Sequence, residues 1–417
     1  MKKKRLLVFS DCYIYGGSER LMSFLIKNEV LNESYDLIYA YRKHKEYEEG
    51  LKNEGLLNRK GNFPLILLSN ETFFYKVNAK ISNQALRLII KIPFFIIEKI
   101  GLYFLWNIFV FMKLLLTTKP DIIHVNNGGY PAAKSCNILV VANFLTIRSK
   151  VIYQVNNQAR KRKIFFEKFY DAFVHKNVSR FINASNNAKQ QLVVNRNFDP
   201  NKILVINNCV PLPEIRINKT DICEELNIPK DSFLIVEVAF LSERKGQRYL
   251  IDALYKLFEN GSISKNKVYC AFIGNGIDEG LLRNHISELD LSSNVFLLGY
   301  RKNSEDFISA CDLFLLPSIK DEDMPLVILS ALGYGKAIVA TDFAGISQVI
   351  ENGVNGILLK NDLETFTTSI AYEIKHLYDD EVLRKKMGDN ARKVYKDYSP
   401  KSYGMKLKET YEKVLAN

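Results

Sequence analysis

The chain has 417 residues, of which 25% are charged and 47% hydrophobic, and a net charge of +12. Length and composition suit a folded protein of two full domains and exclude a disordered or fibrous chain. The six cysteines are scattered, with no Cys-x-x-Cys pair and no His spacing fit for zinc, which predicts reduced thiols in a cytosol and no structural metal.

Charge is unevenly placed. Residues 1–212 hold 32 Lys and Arg against 15 Asp and Glu, whereas residues 213–417 hold 26 against 31. A basic half joined to an acidic half calls for an anionic partner: a membrane surface, a nucleic acid or a phosphorylated acceptor.

Along the first half, Lys2-Lys3-Lys4-Arg5 leads into the apolar stretch 6–10. That stretch is too short for a secretory signal and reads as a first strand. Tyr15-Gly16-Gly17-Ser18-Glu19-Arg20 follows and opens a helix. Two glycines there let backbone N–H groups face a ligand; a plain strand-to-helix turn is the alternative. Further strands are expected at 36–41, 64–68, 121–125, 150–155, 181–184 and 203–206, with helices between most of them. His124 and Asn156 stand at the ends of two of these strands, and Asn156 can donate a hydrogen bond but cannot carry a proton.

The stretch 86–116 is very apolar and holds the only tryptophan, Trp106. Charges and Pro93 interrupt it below about 20 consecutive apolar residues, so it does not read as a membrane span. Downstream, Arg160-Lys161-Arg162-Lys163 precedes Phe165, Phe166, Phe169 and Tyr170. Basic residues beside aromatics suit a surface that dips into a bilayer interface. A buried core helix with a solvated basic flank is the competing reading.

Residues 208–219, with Pro211 and Pro213, read as a linker, and 400–417 as a final helix. Between them strands are expected at 232–238, 267–273, 294–297, 312–316, 336–340 and 356–359, again alternating with helices. Such alternation predicts an α/β protein with parallel sheets covered on both faces. Ala239-Phe240-Leu241-Ser242-Glu243-Arg244-Lys245-Gly246 follows one strand and opens a helix. Lys245 there offers a point charge to a phosphate, or is simply a solvated residue at a helix start. Gly274-Asn275-Gly276 lacks a third glycine in register and an acidic end to the next strand, so it reads as a tight turn rather than a dinucleotide fingerprint. After Leu316 come Pro317-Ser318, an acidic loop with Glu322 and Asp323, and Met324-Pro325-Leu326 opening a helix that carries Ser330. A helix N-terminus beyond a strand's carboxyl end suits a phosphate, with Pro325 in the first turn and Glu322 placed to reach a polar group of the same ligand.

This series of motifs resembles the retaining glycosyltransferases of family 4, over nearly the whole chain and most strongly over 230–360. The resemblance implies the GT-B fold, two doubly wound Rossmann-like domains facing a cleft. Residues 1–212 would bind the acceptor and 213–399 the donor, with 400–417 crossing back to the first domain. It implies that Glu322 contacts the donor sugar and that Lys245, with Arg244 beside it, clamps the donor diphosphate. Gly274, Asp323, Met324, Pro325 and Leu326 would lie at the donor, and Gly299, within 296–300, would meet the base. Phe343-Ala344-Gly345-Ile346 stands for a Gly-Gly-Ile-Pro turn. Gly16, Gly17, Ser18 and Glu19 would line the cleft towards acceptor and phosphate, and Asn156 would lie near the sugar in transfer.

Three positions depart from the family pattern: Phe240 for an Arg, Ser330 for the second Glu, which binds the ribose, and Asn156 for a His. The implied activity moves a sugar from a nucleoside diphosphate sugar to an acceptor hydroxyl, with retention and without metal or cofactor. The implied acceptor is lipid-linked or polysaccharide, in capsule or O-antigen assembly. The implied location is cytoplasmic, peripheral on the inner face of the cytoplasmic membrane through Trp106 and Arg160 to Lys163. A non-catalytic GT-B partner protein stays open, because the three departures share one cleft. A nucleic-acid-binding protein is suggested only by the basic half, and no recognition motif supports it.

Overall fold

The structure is a computed structural model that describes residues 3–320, 322–343 and 345–416, without the side chains of residues 72, 75, 76 and 79. Lys2, Asp321, Ala344 and Asn417 of the sequence reading lie outside the described residues. Contacts divide the chain into two compact units: residues 1–184, 188–206 and 404–417 in the first, residues 185–187 and 207–403 in the second.

The first unit holds β1 (Lys4–Ser10), β2 (Tyr35–Arg42), β3 (Asn62–Leu65), β4 (Ile122–Asn127), β5 (Lys150–Val155), β6 (Arg180–Asn183) and β7 (Ile203–Val205). They form one sheet in the order β3-β2-β1-β4-β5-β6-β7, every neighbouring pair parallel. Residues 6–10 and all of β4 are buried, which is why these strands read as unbroken apolar runs rather than alternating ones. Connections run in opposite directions from β1 and β4, so their carboxyl ends bound the crevice where doubly wound sheets take ligands. The second unit repeats the plan with β8 (Phe233–Val238), β9 (Val268–Ile273), β10 (Val295–Leu297), β11 (Leu313–Leu316), β12 (Ala337–Thr341) and β13 (Ile357–Leu359). Their order is β10-β9-β8-β11-β12-β13, with the reversal between β8 and β11.

The apolar stretch of the first unit forms two helices, Gln84–Lys99 and Leu102–Thr118. The second helix buries Phe111, Leu114 and Leu115 in the core, as a core helix should. The first buries no residue at all, and Leu88, Ile89, Ile92, Phe95 and Ile96 stand exposed on it. The core-helix reading therefore holds for one face of one helix only. Among the described residues no helix is long and apolar enough to cross a membrane.

The final helix, Pro400–Ala416, joins the first unit from Gly404 onward. Its Tyr411 hydroxyl meets His124 Nδ1 at 2.7 Å, and His124 Nε2 meets Gln154 Oε1 at 2.9 Å. The Gln154 oxygen can only accept, so Nε2 carries the proton and Nδ1 accepts from Tyr411. Burial pulls His124 down from 6.5 to about 4, so it is neutral and structural. The unfolded chain takes up this proton as pH falls through 6.5, and the fold does not until pH 4. Stability from this group is therefore full above pH 6.5 and is lost on acidification. Between pH 7 and 4.5 the wild type should lose on the order of 2 kcal/mol more than His124→Gln, by urea melts at each pH. Equal losses would remove His124 as the cause.

Candidate functional site

In the second unit the loop after β11 is pinned to the loop after β8. Ile319 N donates to Arg244 O at 2.8 Å. Gly246, at φ +76°, closes the short turn Glu243–Lys245 and starts the helix Gln247–Glu259. A Cβ on Gly246 would stand 2.0 Å from the Pro317 carbonyl oxygen, so both the backbone angle and the close approach require glycine. The approach brings Lys245 and Glu322 into a direct ion pair. Ser318 Oγ donates to Glu322 Oε1 at 3.2 Å, and Arg244 Nη1 lies 3.5 Å from the same oxygen. Lys245 is 8% and Glu322 6% exposed.

Two cations thus share one carboxylate. Burial pulls the Lys245 ammonium down to about 7, and Arg244 pushes the same way against the pull of Glu237. Glu237, near the end of β8, is itself pushed well up by burial and accepts from Gln247 Nε2 at 2.9 Å. Sequence reasoning passed over Glu237, although a lone carboxylate inside an apolar strand was a signal to read.

The rest of the acidic loop is held by its backbone. Met324 O accepts from Asn208 Nδ2 at 3.0 Å, and Asp323 O from Gly345 N at 2.9 Å. The Asp323 carboxyl, buried and bonded by the Ser185 hydroxyl of the same unit, is pushed up to about 6 by that burial. Pro325 is not in the first turn of the helix. Its ψ of 130° leaves it extended as the cap, and the helix is Leu326–Gly333. Ser330 is buried, and its hydroxyl donates to Glu305 Oε1 at 3.1 Å. A carboxylate therefore stands beside position 330 after all, supplied by the helix Ser304–Ala310. Gly274 and Gly299 meet in a bridge, with Gly274 N donating to Gly299 O at 2.9 Å. Phe240 is half exposed.

In the first unit the loop after β1 differs from its reading. The Gly16 N–H is taken by Glu19 Oε2 at 3.1 Å, and Ser18 Oγ donates to Glu19 Oε1 at 2.6 Å. Glu19 is buried, its carboxyl pushed up by that burial, so it caps the helix Gly17–Lys27 from within. Gly16 thus offers no free N–H to a ligand. Asn156 ends a chain of side-chain bonds. Its oxygen accepts from Gln154 Nε2 at 2.8 Å, and its amide nitrogen donates to Asn126 Oδ1 and to Asn127 O.

The basic run also divides. Arg160 pairs with Glu167 at 2.8 Å and Arg162 with Asp171 at 2.8 Å, because the helix Glu167–Asn177 turns both carboxylates towards it. Lys161 and Lys163 remain exposed. Beside them Ile164, Phe165, Phe166 and Phe169 are exposed, and Trp106 is 44% exposed with its ring N–H on Ile66 O. Among the described residues no group of three His, Cys, Asp or Glu stands together to hold a metal ion.

Two parallel-sheet units of this plan make the GT-B fold. A glycosyltransferase structure from Rickettsia africae matches at TM-score 0.78 with 18% identity, over the full length of both chains. Anabaena HepE, solved with UDP, matches at 0.72 with 17% identity, over 98% of this chain and 100% of its own. In sequence, residues 69–213 match the model of Glycosyltransferase Family 4 and residues 218–394 that of Glycosyl transferases group 1. The chain belongs to the family 4 glycosyltransferases.

Among its relatives is the UDP-Gal:alpha-D-GlcNAc-diphosphoundecaprenol alpha-1,3-galactosyltransferase of Escherichia coli. That protein is 27% identical over 73% of this chain and 78% of its own length. The N,N'-diacetylbacillosaminyl-diphospho-undecaprenol alpha-1,3-N-acetylgalactosaminyltransferase of Campylobacter jejuni is 27% identical over 57% and 60%.

Proposed function

We propose that the protein moves a sugar from a UDP-sugar to a hydroxyl of a lipid-diphosphate-linked glycan, during assembly of a cell-surface polysaccharide. The observation that carries this is the buried Lys245–Glu322 pair with Arg244 and Ser318 around it. It stands beyond the carboxyl end of β11, beside the helix that starts at Leu326. The relatives named for UDP-Gal and for diphospho-undecaprenol substrates support the donor and acceptor class.

A diphosphate entering here meets two cations and a helix N-terminus. The ammonium of Lys245 turns part of its contact to the phosphates, which frees a Glu322 oxygen to accept from a sugar hydroxyl. As the bond from sugar to phosphate breaks, negative charge grows on the leaving diphosphate, where Lys245 and Arg244 stabilise it. Positive charge grows on the sugar ring next to Glu322. Retention, with the leaving phosphate taking the acceptor proton, requires no base at Asn156, whose amide is already bonded on both sides. No metal is needed in this scheme, because Lys245, Arg244 and the helix supply the counter-charge.

The test is calorimetry with UDP followed by radiolabelled UDP-sugars incubated with an undecaprenyl-diphosphate-linked sugar. Binding of UDP and label transfer from one of the donors is expected. Binding without transfer from any donor would favour the non-catalytic partner reading, and no binding would sink both.

The exposed apolar face supports attachment to the inner surface of the cytoplasmic membrane, where such an acceptor lies. Ile92, Phe95, Ile96, Leu105 and Phe109 are each more than 40% exposed on the paired helices, in a half with a large cationic excess. Wild-type protein should sediment with phosphatidylglycerol vesicles. The triple variant Ile92→Ser, Ile96→Ser, Phe109→Ser should lose that binding at least tenfold and keep its UDP affinity. Neutralising Lys161 and Lys163 should weaken it by about 1 kcal/mol each, whereas neutralising the ion-paired Arg162 should do less. Sedimentation unchanged in the triple variant would exclude this face.

A further inference from the structure

The first unit has a second concave site that the donor reading does not use. At the amino ends of β5, β6 and β7, beside the helix Pro400–Ala416, a cavity of about 680 Å³ opens. It is lined by Lys150, Lys176, Arg180, Lys202, Lys406 and Lys413. The carboxylate in its wall is Glu409, which already pairs with Lys413 at 2.6 Å.

Backbone geometry forces these cations together. Phe181 and Ile203 are partners across β6 and β7, so Arg180 and Lys202, the residues just before them, stand level on neighbouring segments, about 5 Å apart at the backbone. Lys202 Nζ is aimed by the carbonyls of His175, at 2.8 Å, and Val178, at 3.3 Å, and Arg180 Nη1 by that of Ser179, at 2.8 Å. Carbonyls orient a cation without neutralising it. Among the described residues Lys150, Lys176, Arg180 and Lys202 form no ion pair. Burial first, then Arg180, lowers the Lys202 ammonium, with Asp199 as the opposing carboxylate. Like charges gathered in one hollow raise the energy of the empty fold, and an anion in the hollow removes that cost.

We propose that this cavity binds a small anion carrying at least two phosphate charges. Its volume lies in the range of small-ligand sites, about 300–1,000 Å³, and Asn201 and Thr410 in the wall can hydrogen-bond hydroxyls of the same ligand. The site stands on the first unit alone and does not depend on where the donor binds. Its ligand is either a free phosphorylated metabolite or the headgroup of an anionic lipid, since both present the same phosphate chemistry.

The probe is inorganic pyrophosphate, titrated calorimetrically at low salt into the full chain. Lys245→Ala removes one of the two donor-site cations, weakening that site, and should leave the pyrophosphate site of the first unit intact. On that background, Arg180→Gln with Lys202→Gln should raise the dissociation constant at least tenfold, with unchanged circular dichroism. Should that pair fail to fold, the exposed Lys176→Gln with Lys406→Gln should raise it at least threefold. Absence of pyrophosphate binding to Lys245→Ala at millimolar concentration, or binding indifferent to all four substitutions, would overturn the site. A parallel sedimentation with phosphatidylglycerol vesicles separates the two sources. Loss of vesicle binding in the Arg180/Lys202 variant assigns a lipid headgroup, and unchanged vesicle binding with lost pyrophosphate binding assigns a free anion.

Discussion

Lys245→Ala should raise the dissociation constant for UDP about thirtyfold or more, a loss of roughly 2 kcal/mol. The side chain is 8% exposed, so water does little to screen its charge. With Phe240 half exposed where the resemblance places an Arg, Lys245 and its neighbour Arg244 are the cations seen at the Glu322 carboxylate among the described residues. The pH dependence gives a second, sharper readout. Lys245 titrates at about 7 in the unliganded fold, and a diphosphate favours its charged form. Above pH 7 binding must therefore take up a proton. From pH 7.5 to 8.5, beyond the last phosphate ionisation, affinity of the wild type should fall up to about tenfold. In Lys245→Ala the affinity should be low and flat across the same window. Unchanged affinity in the variant, or a flat wild-type profile, would take Lys245 out of the donor site.

The alternation of strand and helix was legible because most strands are covered on both faces and stand out as short apolar runs. The misjudged strand is β3, expected at 64–68 and found at Asn62–Leu65. It is an edge strand, where Pro64 is tolerated. Beyond it the backbone of Leu68 leaves the ladder because the amide of Asn107 takes both its groups, accepting from Leu68 N at 2.8 Å and donating to Leu68 O at 3.0 Å. No local pattern announces a partner 39 positions away.

The same limit applies at the sites. That Lys245 and Glu322 each sit in a loop beyond a strand was readable from the order of motifs. That they touch was not, since the contact spans 77 positions and rests on Gly246 lying against Pro317. Residue type predicted a free backbone N–H at Gly16 and four exposed cations from Arg160 to Lys163. The carboxylates of Glu19, Glu167 and Asp171 answer the Gly16 N–H, Arg160 and Arg162 instead, while Lys161 and Lys163 stay exposed, and only the folded chain shows which way they turn. The loss of a carboxylate at Ser330 was read correctly from the residue. Its neighbour Glu305 was hidden 25 positions upstream in another helix.

Glu322→Gln should separate chemistry from binding. In the resting fold the carboxylate neutralises part of the charge on Lys245 and Arg244 and accepts from Ser318. An amide keeps the shape and one acceptor but removes the charge. For the free nucleotide two effects oppose each other. The diphosphate no longer faces a nearby carboxylate, while Lys245 loses its counter-ion and is harder to keep protonated. UDP affinity should therefore change only a few-fold. With the donor placed as proposed, no such cancellation exists in the transition state, because the positive charge growing on the sugar appears beside the position where the carboxylate has been lost. An interaction made only there shows in kcat, and removing it should lower turnover by about 100-fold or more, roughly 3 kcal/mol. The proton linkage adds a distinguishing mark. With its carboxylate partner gone, Lys245 should titrate lower, so the acidic shift of the UDP-binding profile should accompany the loss of turnover in Glu322→Gln. Turnover within a few-fold of wild type would show that Glu322 serves only to hold Lys245. A loss of UDP binding equal to the loss of turnover would place the residue at the phosphates rather than at the sugar.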